Sequence, residues 1–70
     1  MQTQQDRIRL LESLIDASSV TEVLTDIELI LREKSEHIVC NYQDKALAKD
    51  WDRASNAIYT AARKVQELKL

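Results

Sequence analysis

The sequence predicts an all-α fold, and three of its features support this prediction. The 70 residues include no glycine and no proline, although average usage corresponds to about eight such residues in a chain of this length. Their absence argues against β-hairpins and phosphate-binding loops, which depend on glycine at their turns. Apolar residues recur at spacings of three and four, and residues with N-cap preference precede the apolar runs. We therefore expect one domain over residues 1–70, either a three-helix up-down-up bundle or a long helical hairpin with a short N-terminal helix.

The first predicted helix covers residues 4–17. Thr3 is suited to be its N-cap, and Asp6 occupies the position that completes a capping box. The dipeptide Ser18–Ser19 then interrupts the helix. The apolar residues of this segment follow helical spacing, with Leu10 at the edge of a stripe formed by Ile8, Leu11, Leu14 and Ile15.

The second predicted helix covers residues 20–40. Ser19 and Glu22 form the pattern of a capping box directly before an apolar run, which is a specific signal for a helix start. Asn41 is the residue best suited to end this helix, because asparagine tolerates the left-handed region and also serves as an N-cap. The residues within about 60° of one line on this helix are Val20, Val23, Leu24, Ile27, Ile30, Leu31 and Ile38.

The third predicted helix covers residues 42–68, and its apolar residues alternate spacings of four and three over three heptads. This spacing is typical of the seam between helices in a bundle. An unbroken helix through Asn41, exchanged between two chains, is the alternative to a bend, but it would direct the two apolar stripes to opposite sides. The stripe of the third helix consists of Leu47, Trp51, Ala54, Ile58, Ala61, Val65 and Leu68.

Composition and charge exclude several classes of function. The net charge of −2 gives no overall attraction to nucleic acid or to anionic lipid. A single cysteine excludes an internal disulfide and fits a reducing compartment. The N-terminal residues lack the basic and apolar regions of a signal peptide, and no apolar run exceeds three residues, so we expect a cytoplasmic protein that does not enter a membrane.

Lys34 and Asp50 are charged residues that interrupt the apolar stripes of the second and third helices. A hairpin folded at residue 42 would place them opposite each other, with Trp51 beside the ammonium group. We therefore expect a partly buried Lys34–Asp50 ion pair next to Trp51. Such a pair more often fixes the register between helices than binds a small polar ligand.

His37 and Cys40 are the two residues most able to bind a metal or to perform nucleophilic chemistry. A zinc site needs about four ligands, which two copies of the chain could supply but one could not. On a regular helix the two side chains have neither a concave pocket nor an oxyanion hole. We therefore expect no enzymatic activity, no cofactor and no metal in the single chain.

A nucleic-acid-associated regulator is the alternative function. Lys45, Lys49 and Arg53 follow one another at four-residue spacing and form a basic ridge on the third helix. Asp44, Asp50 and Asp52 dilute its charge, and the sequence has no glycine-containing helix-turn-helix turn. Nucleic-acid binding is therefore the less favoured function.

Protein–protein interaction is the favoured function. So small a core is marginal, and a long helix with an apolar stripe favours self-association into a dimer. We expect a small non-enzymatic protein that acts as a homo-oligomer, as a regulatory adaptor, or as both. Apolar and small residues outside the core stripes mark the expected interface, which consists of Leu29, Val39, Cys40, Ala48, Tyr59 and Ala62, with Ser55 on the same small-residue face.

Overall fold

The structure is a computed structural model that describes residues 3–70, and it confirms the all-α prediction. The described chain forms three helices and no strand: α1 (Gln4–Ala17), α2 (Val20–Tyr42) and α3 (Lys45–Glu67). α2 and α3 pack against each other as an antiparallel hairpin, whereas α1 contacts α2 sparsely and does not contact α3. Of the two predicted arrangements, the chain adopts the hairpin with a short N-terminal helix.

Side-chain caps begin both of the first two helices where the sequence predicts them. The hydroxyl of Thr3 accepts a hydrogen bond from the Asp6 N–H at 3.2 Å, and the Asp6 carboxylate accepts one from the Thr3 N–H. At the start of α2, the Ser19 hydroxyl accepts from the Glu22 N–H at 3.0 Å. Each cap satisfies a backbone donor that the helix leaves without a partner.

The turn between α2 and α3 lies two residues beyond the predicted break at Asn41. Asn41 stays inside α2, where its side-chain amide donates to the carbonyl oxygen of His37. Gln43 instead ends the helix in the left-handed region, with φ of 54°. Asp44 then caps α3 by accepting a hydrogen bond from the Leu47 N–H at 3.0 Å. The predicted break was wrong because the amide of Asn41 bonds back into its own helix.

The contact between α2 and α3 is built on small and polar residues at seven-residue intervals. Ala48, Ser55 and Ala62 are the buried residues of α3, and they face Glu28 and Ser35 of α2. The Ser35 hydroxyl donates to the backbone carbonyl of Ala48 at 3.0 Å, so the two helix backbones approach closely here. We call these five residues the seam. The small side chains of its alanines and serines permit an approach that larger residues would prevent.

The position of the seam corrects two expectations. Ala48 and Ala62 are not available as an interface with another molecule, because the seam buries them between α2 and α3. The predicted core stripes of both helices lie to one side of the seam, since each seam position on α3 follows a stripe residue by one place, as Ala48 follows Leu47. One residue is about 100° of helix rotation, so small residues form the contact and large ones lie beside it.

The described chain is flat and less compact than a single globular domain of its size. Its principal extents are 38 × 35 × 15 Å and its radius of gyration is 14.1 Å, against about 11 Å for a compact domain of this length. The accessible surface is 5828 Å², whereas a folded monomer of this mass exposes about 4,500 Å². The chain therefore exposes about 1,300 Å² more than a compact monomer would.

Candidate functional site

The large apolar side chains of α2 and α3 share one broad side of the hairpin. They lie between about 30° and 140° of rotation from the seam, in the same sense on both helices. In an antiparallel pair, equal rotations in that sense bring both sets to the same side. We call this side the apolar face, and it consists of Val20, Leu24, Ile27, Leu31 and Ile38 of α2 and Leu47, Trp51, Ala54, Ile58, Ala61, Val65 and Leu68 of α3.

No residue of the apolar face is fully covered. Leu47 is 45% exposed and Leu68 is 66% exposed, while Ile58 and Trp51 in the middle of the face are half-buried. By contrast, no buried side-chain polar atom within residues 3–70 lacks a hydrogen-bond partner. The buried polar groups are therefore satisfied inside the chain, whereas the large apolar side chains remain partly uncovered.

α1 extends the uncovered apolar surface. Every described residue of α1 is exposed, including all five of its large apolar side chains: Ile8, Leu10, Leu11, Leu14 and Ile15. Val23 lies about 130° around α2 from the seam and is buried, while Ile30 lies on the same side one heptad later and is 52% exposed. Within residues 3–70, α1 contacts α2 sparsely and does not contact α3, so it leaves the apolar face open.

The opposite side of the hairpin is more polar, and Glu28 and Arg32 form an ion pair there. The Ser55 hydroxyl donates to both the backbone and the carboxylate oxygens of Glu28, at 3.2 Å each. Arg32 donates to the same carboxylate, and the Arg63 guanidinium lies 5.9 Å from the centre of the Tyr59 ring. An open cleft of about 570 Å³ runs along this side, lined by Thr21, Thr25, Glu28, Arg32, Tyr59, Ala62, Arg63 and Gln66.

The pairing on the polar side affects the acidity of Glu28. The hydrogen bond from Arg32 holds the pKa of the Glu28 carboxyl below its ordinary value of 4.5, and partial burial opposes this effect. The positive charge of Arg32 and the hydrogen bond from Ser55 also favour the carboxylate. Glu28 in turn raises the pKa of Arg32. Sequence patterning did not identify this cluster, because a glutamate in a helical apolar run gives no sign of which serine will face it.

The structure does not form the predicted ion pair between Lys34 and Asp50. Both residues are exposed, Trp51 is half-buried, and the one salt bridge among the described residues joins Glu28 to Arg32. The hydrogen bonds of the seam set Lys34 level with Lys49, one residue away from the predicted partner. Lys34 lies at the apolar face, beside a shallow groove that also involves Ile30, Glu33 and His37.

His37 and Cys40 are both exposed near the end of α2. The Nδ1 atom of His37 lies 3.0 Å from the side-chain nitrogen of Asn41, and its ring meets the edge of Tyr42 at a centroid distance of 5.8 Å. No group of three or more histidine, cysteine or acidic residues in the described range is arranged to hold a metal ion. The neighbours of His37 are therefore an amide and an aromatic ring.

The remaining candidate residues lie on the outer surfaces of the hairpin. Lys45, Lys49 and Arg53 are exposed along α3, where Asp50 and Asp52 are exposed as well. Four residues of the expected interface remain exposed: Leu29, Val39, Cys40 and Tyr59. Tyr59 lines the polar cleft, and Leu29 lies about 100° from the seam on the same polar side of the hairpin. The apolar face holds more large apolar side chains than this side does.

Within residues 3–70, no helix combines the length and apolarity that a membrane-spanning segment needs. No protein-family model, no curated protein and no solved structure matches this chain.

Proposed function

We propose that this protein acts through helix–helix association and that it forms a homodimer by covering the apolar face. The observation that carries the proposal is the absence, within residues 3–70, of any large side chain that is fully buried. A chain with 44% hydrophobic residues would ordinarily bury a core. Here the residues that would form it lie on one exposed side, and a second copy of the same chain supplies the matching surface.

The size of the uncovered surface supports a stable dimer. The excess of about 1,300 Å² per chain corresponds to about 2,600 Å² in a pair. Permanent homodimers bury roughly 2,000–5,000 Å² in total and have more apolar interfaces than transient complexes. The aliphatic and aromatic side chains of the apolar face have that character. They carry neither a nucleophile nor a general base, so binding fits this surface better than catalysis.

Light scattering coupled to size-exclusion chromatography tests the proposal at micromolar concentrations. We expect the unaltered chain to elute with twice the monomer mass of 8.1 kDa. Ile58→Glu places a charge in the middle of the apolar face and should shift the protein to monomer, because the interface would bury an unpaired carboxylate.

Thr60→Glu is the matched control for this experiment. Thr60 is exposed on the same helix, two residues away and outside the apolar face, so the same change in charge there should leave the dimer intact. Circular dichroism on each variant checks that the helices remain. A wild-type chain that is monomeric and cooperatively folded at these concentrations would contradict the proposal.

A further inference from the structure

We infer that the apolar face of each hairpin binds α1 of the partner chain, so that the two protomers exchange their N-terminal helices. This inference rests on the proposed homodimer and identifies what covers its interface. The alternative, in which two hairpins stack directly on each other, would cover the apolar faces but leave both α1 helices bare. Reciprocal exchange covers both kinds of surface with one type of contact.

α1 does not cover the apolar face of its own hairpin, because it contacts α2 sparsely and does not contact α3. Its connection to α2 consists of two residues, and both are engaged in helix caps. The Ser18 hydroxyl donates to the Leu14 carbonyl at 2.8 Å, and the Ser19 hydroxyl caps α2. Short connections of this kind favour exchange of an element between protomers.

The dimensions of α1 match the apolar face. α1 has 14 residues, which corresponds to about 21 Å of helix, while the face extends over about 27 Å of α2 from Val20 to Ile38. Half-buried side chains such as Ile58 and Leu31 lie near the middle of the face, and the more exposed Leu47 and Leu68 lie at its border on α3. A third helix that presents an apolar stripe can pack against such a face of two helices.

Both surfaces carry charged residues of both signs. Lys34 and Asp50 lie at the apolar face, and neither forms an ion pair within residues 3–70. On α1, Glu12 lies at the edge of the apolar stripe and Arg7 lies within it. Glu12 and Arg7 therefore offer Lys34 and Asp50 opposite charges from the partner chain. Because such exposed pairs stabilise a complex only weakly, their effect is to select the orientation of α1 on the apolar face.

Complementation between two variants tests the exchange. Leu11→Glu damages the stripe of α1, and Ile58→Glu damages the apolar face that would receive it. In a homodimer of either variant, both contacts between α1 and the apolar face include a damaged surface. Each variant alone should therefore dimerise at least tenfold more weakly than the unaltered chain. An equimolar mixture contains one intact α1 and one intact apolar face that can meet, so it should form a heterodimer. Uniform 15N labelling of one variant gives the two chains different masses, so native mass spectrometry distinguishes the heterodimer from both homodimers.

Two controls make the outcome specific. Ser13→Glu adds the same charge on the polar side of α1 and should neither weaken the dimer nor take part in complementation. Glutamate and leucine have similar helix propensities, and circular dichroism of Leu11→Glu checks that α1 remains helical. If the mixture stays monomeric, or if Leu11→Glu dimerises as tightly as the unaltered chain, the exchange is overturned. The proposed dimer would survive that result provided that Ile58→Glu still dissociates it.

Discussion

The hydroxyl of Ser35 lies 3.0 Å from the backbone carbonyl oxygen of Ala48, across the contact between α2 and α3. A side chain as short as serine reaches the opposite backbone only when two helices are very close. The same relationship recurs one heptad away, where Ser55 donates to the backbone carbonyl of Glu28. The hairpin is therefore held by close backbone approach and polar contacts, which leaves its large apolar side chains free for another molecule.

Enlarging the small side chain of Ala48 should destabilise the hairpin. Ala48→Leu introduces three carbon atoms into a seam without space for them, and we expect a loss of about 1–3 kcal/mol in the free energy of unfolding. Ala57→Leu is the control, because Ala57 is exposed on the same helix and should change stability by less than about 0.5 kcal/mol. Thermal unfolding followed by circular dichroism measures both. Equal effects of the two substitutions would show that the seam is not tightly packed.

The features that the sequence predicts well are those formed over a few residues. The caps at Thr3 and Ser19 each join a side chain to a backbone N–H three residues later, so local pattern is sufficient to find them. Local sequence does not decide which of the two faces of α3 packs against α2. The stripe that contains Ile58 has the greater apolarity, but the face of Ala48 allows the closer approach, and the alternatives differ by a single residue of rotation.

Apolar pattern identifies which residues need to be covered without identifying what covers them. The stripe of α1 illustrates this, since Leu11 lies where helical spacing predicts a buried residue and is 44% exposed in the single chain. A second chain can cover such an apolar residue just as an intramolecular core would. The predicted pair of Lys34 and Asp50 failed for a related reason, because a shift of one residue in register separates partners that local spacing cannot position.

Acid should weaken the fold partly through Glu28. Since Arg32 lowers the pKa of Glu28 in the folded chain, the carboxylate contributes stability above its ordinary pKa of 4.5, and this stability is lost as the pH falls through the lower, folded-state value. Glu28→Gln should therefore flatten the fall in melting temperature between neutral and strongly acidic pH. Glu33→Gln, an exposed position on the same helix, serves as the comparison. Parallel curves for Glu28→Gln and the unaltered chain would contradict this role.

Binding to polyanions should be weak and should not depend on the basic ridge. Lys45, Lys49 and Arg53 are exposed, but exposed aspartates alternate with them along α3, which reduces the local positive potential. We expect the chain to leave a heparin column at low salt, and the double charge reversal of Lys49 and Arg53 to make little difference. Strong retention that falls with salt and disappears on charge reversal would instead support the nucleic-acid-associated alternative.

The absence of glycine has an energetic cost at the turn between α2 and α3. Gln43 adopts φ of 54°, a conformation that costs most residues other than glycine roughly 1–2 kcal/mol. Gln43→Gly removes this cost but adds freedom to the unfolded chain, so we expect a net gain of about 0.5–1 kcal/mol in the free energy of unfolding. Chemical denaturation measures it. Ala57→Gly should have the opposite sign, with a loss of about 1 kcal/mol in a helix interior. If Gln43→Gly also destabilises the chain, the turn does not hold this residue in the left-handed region, and the hairpin reverses direction by another route.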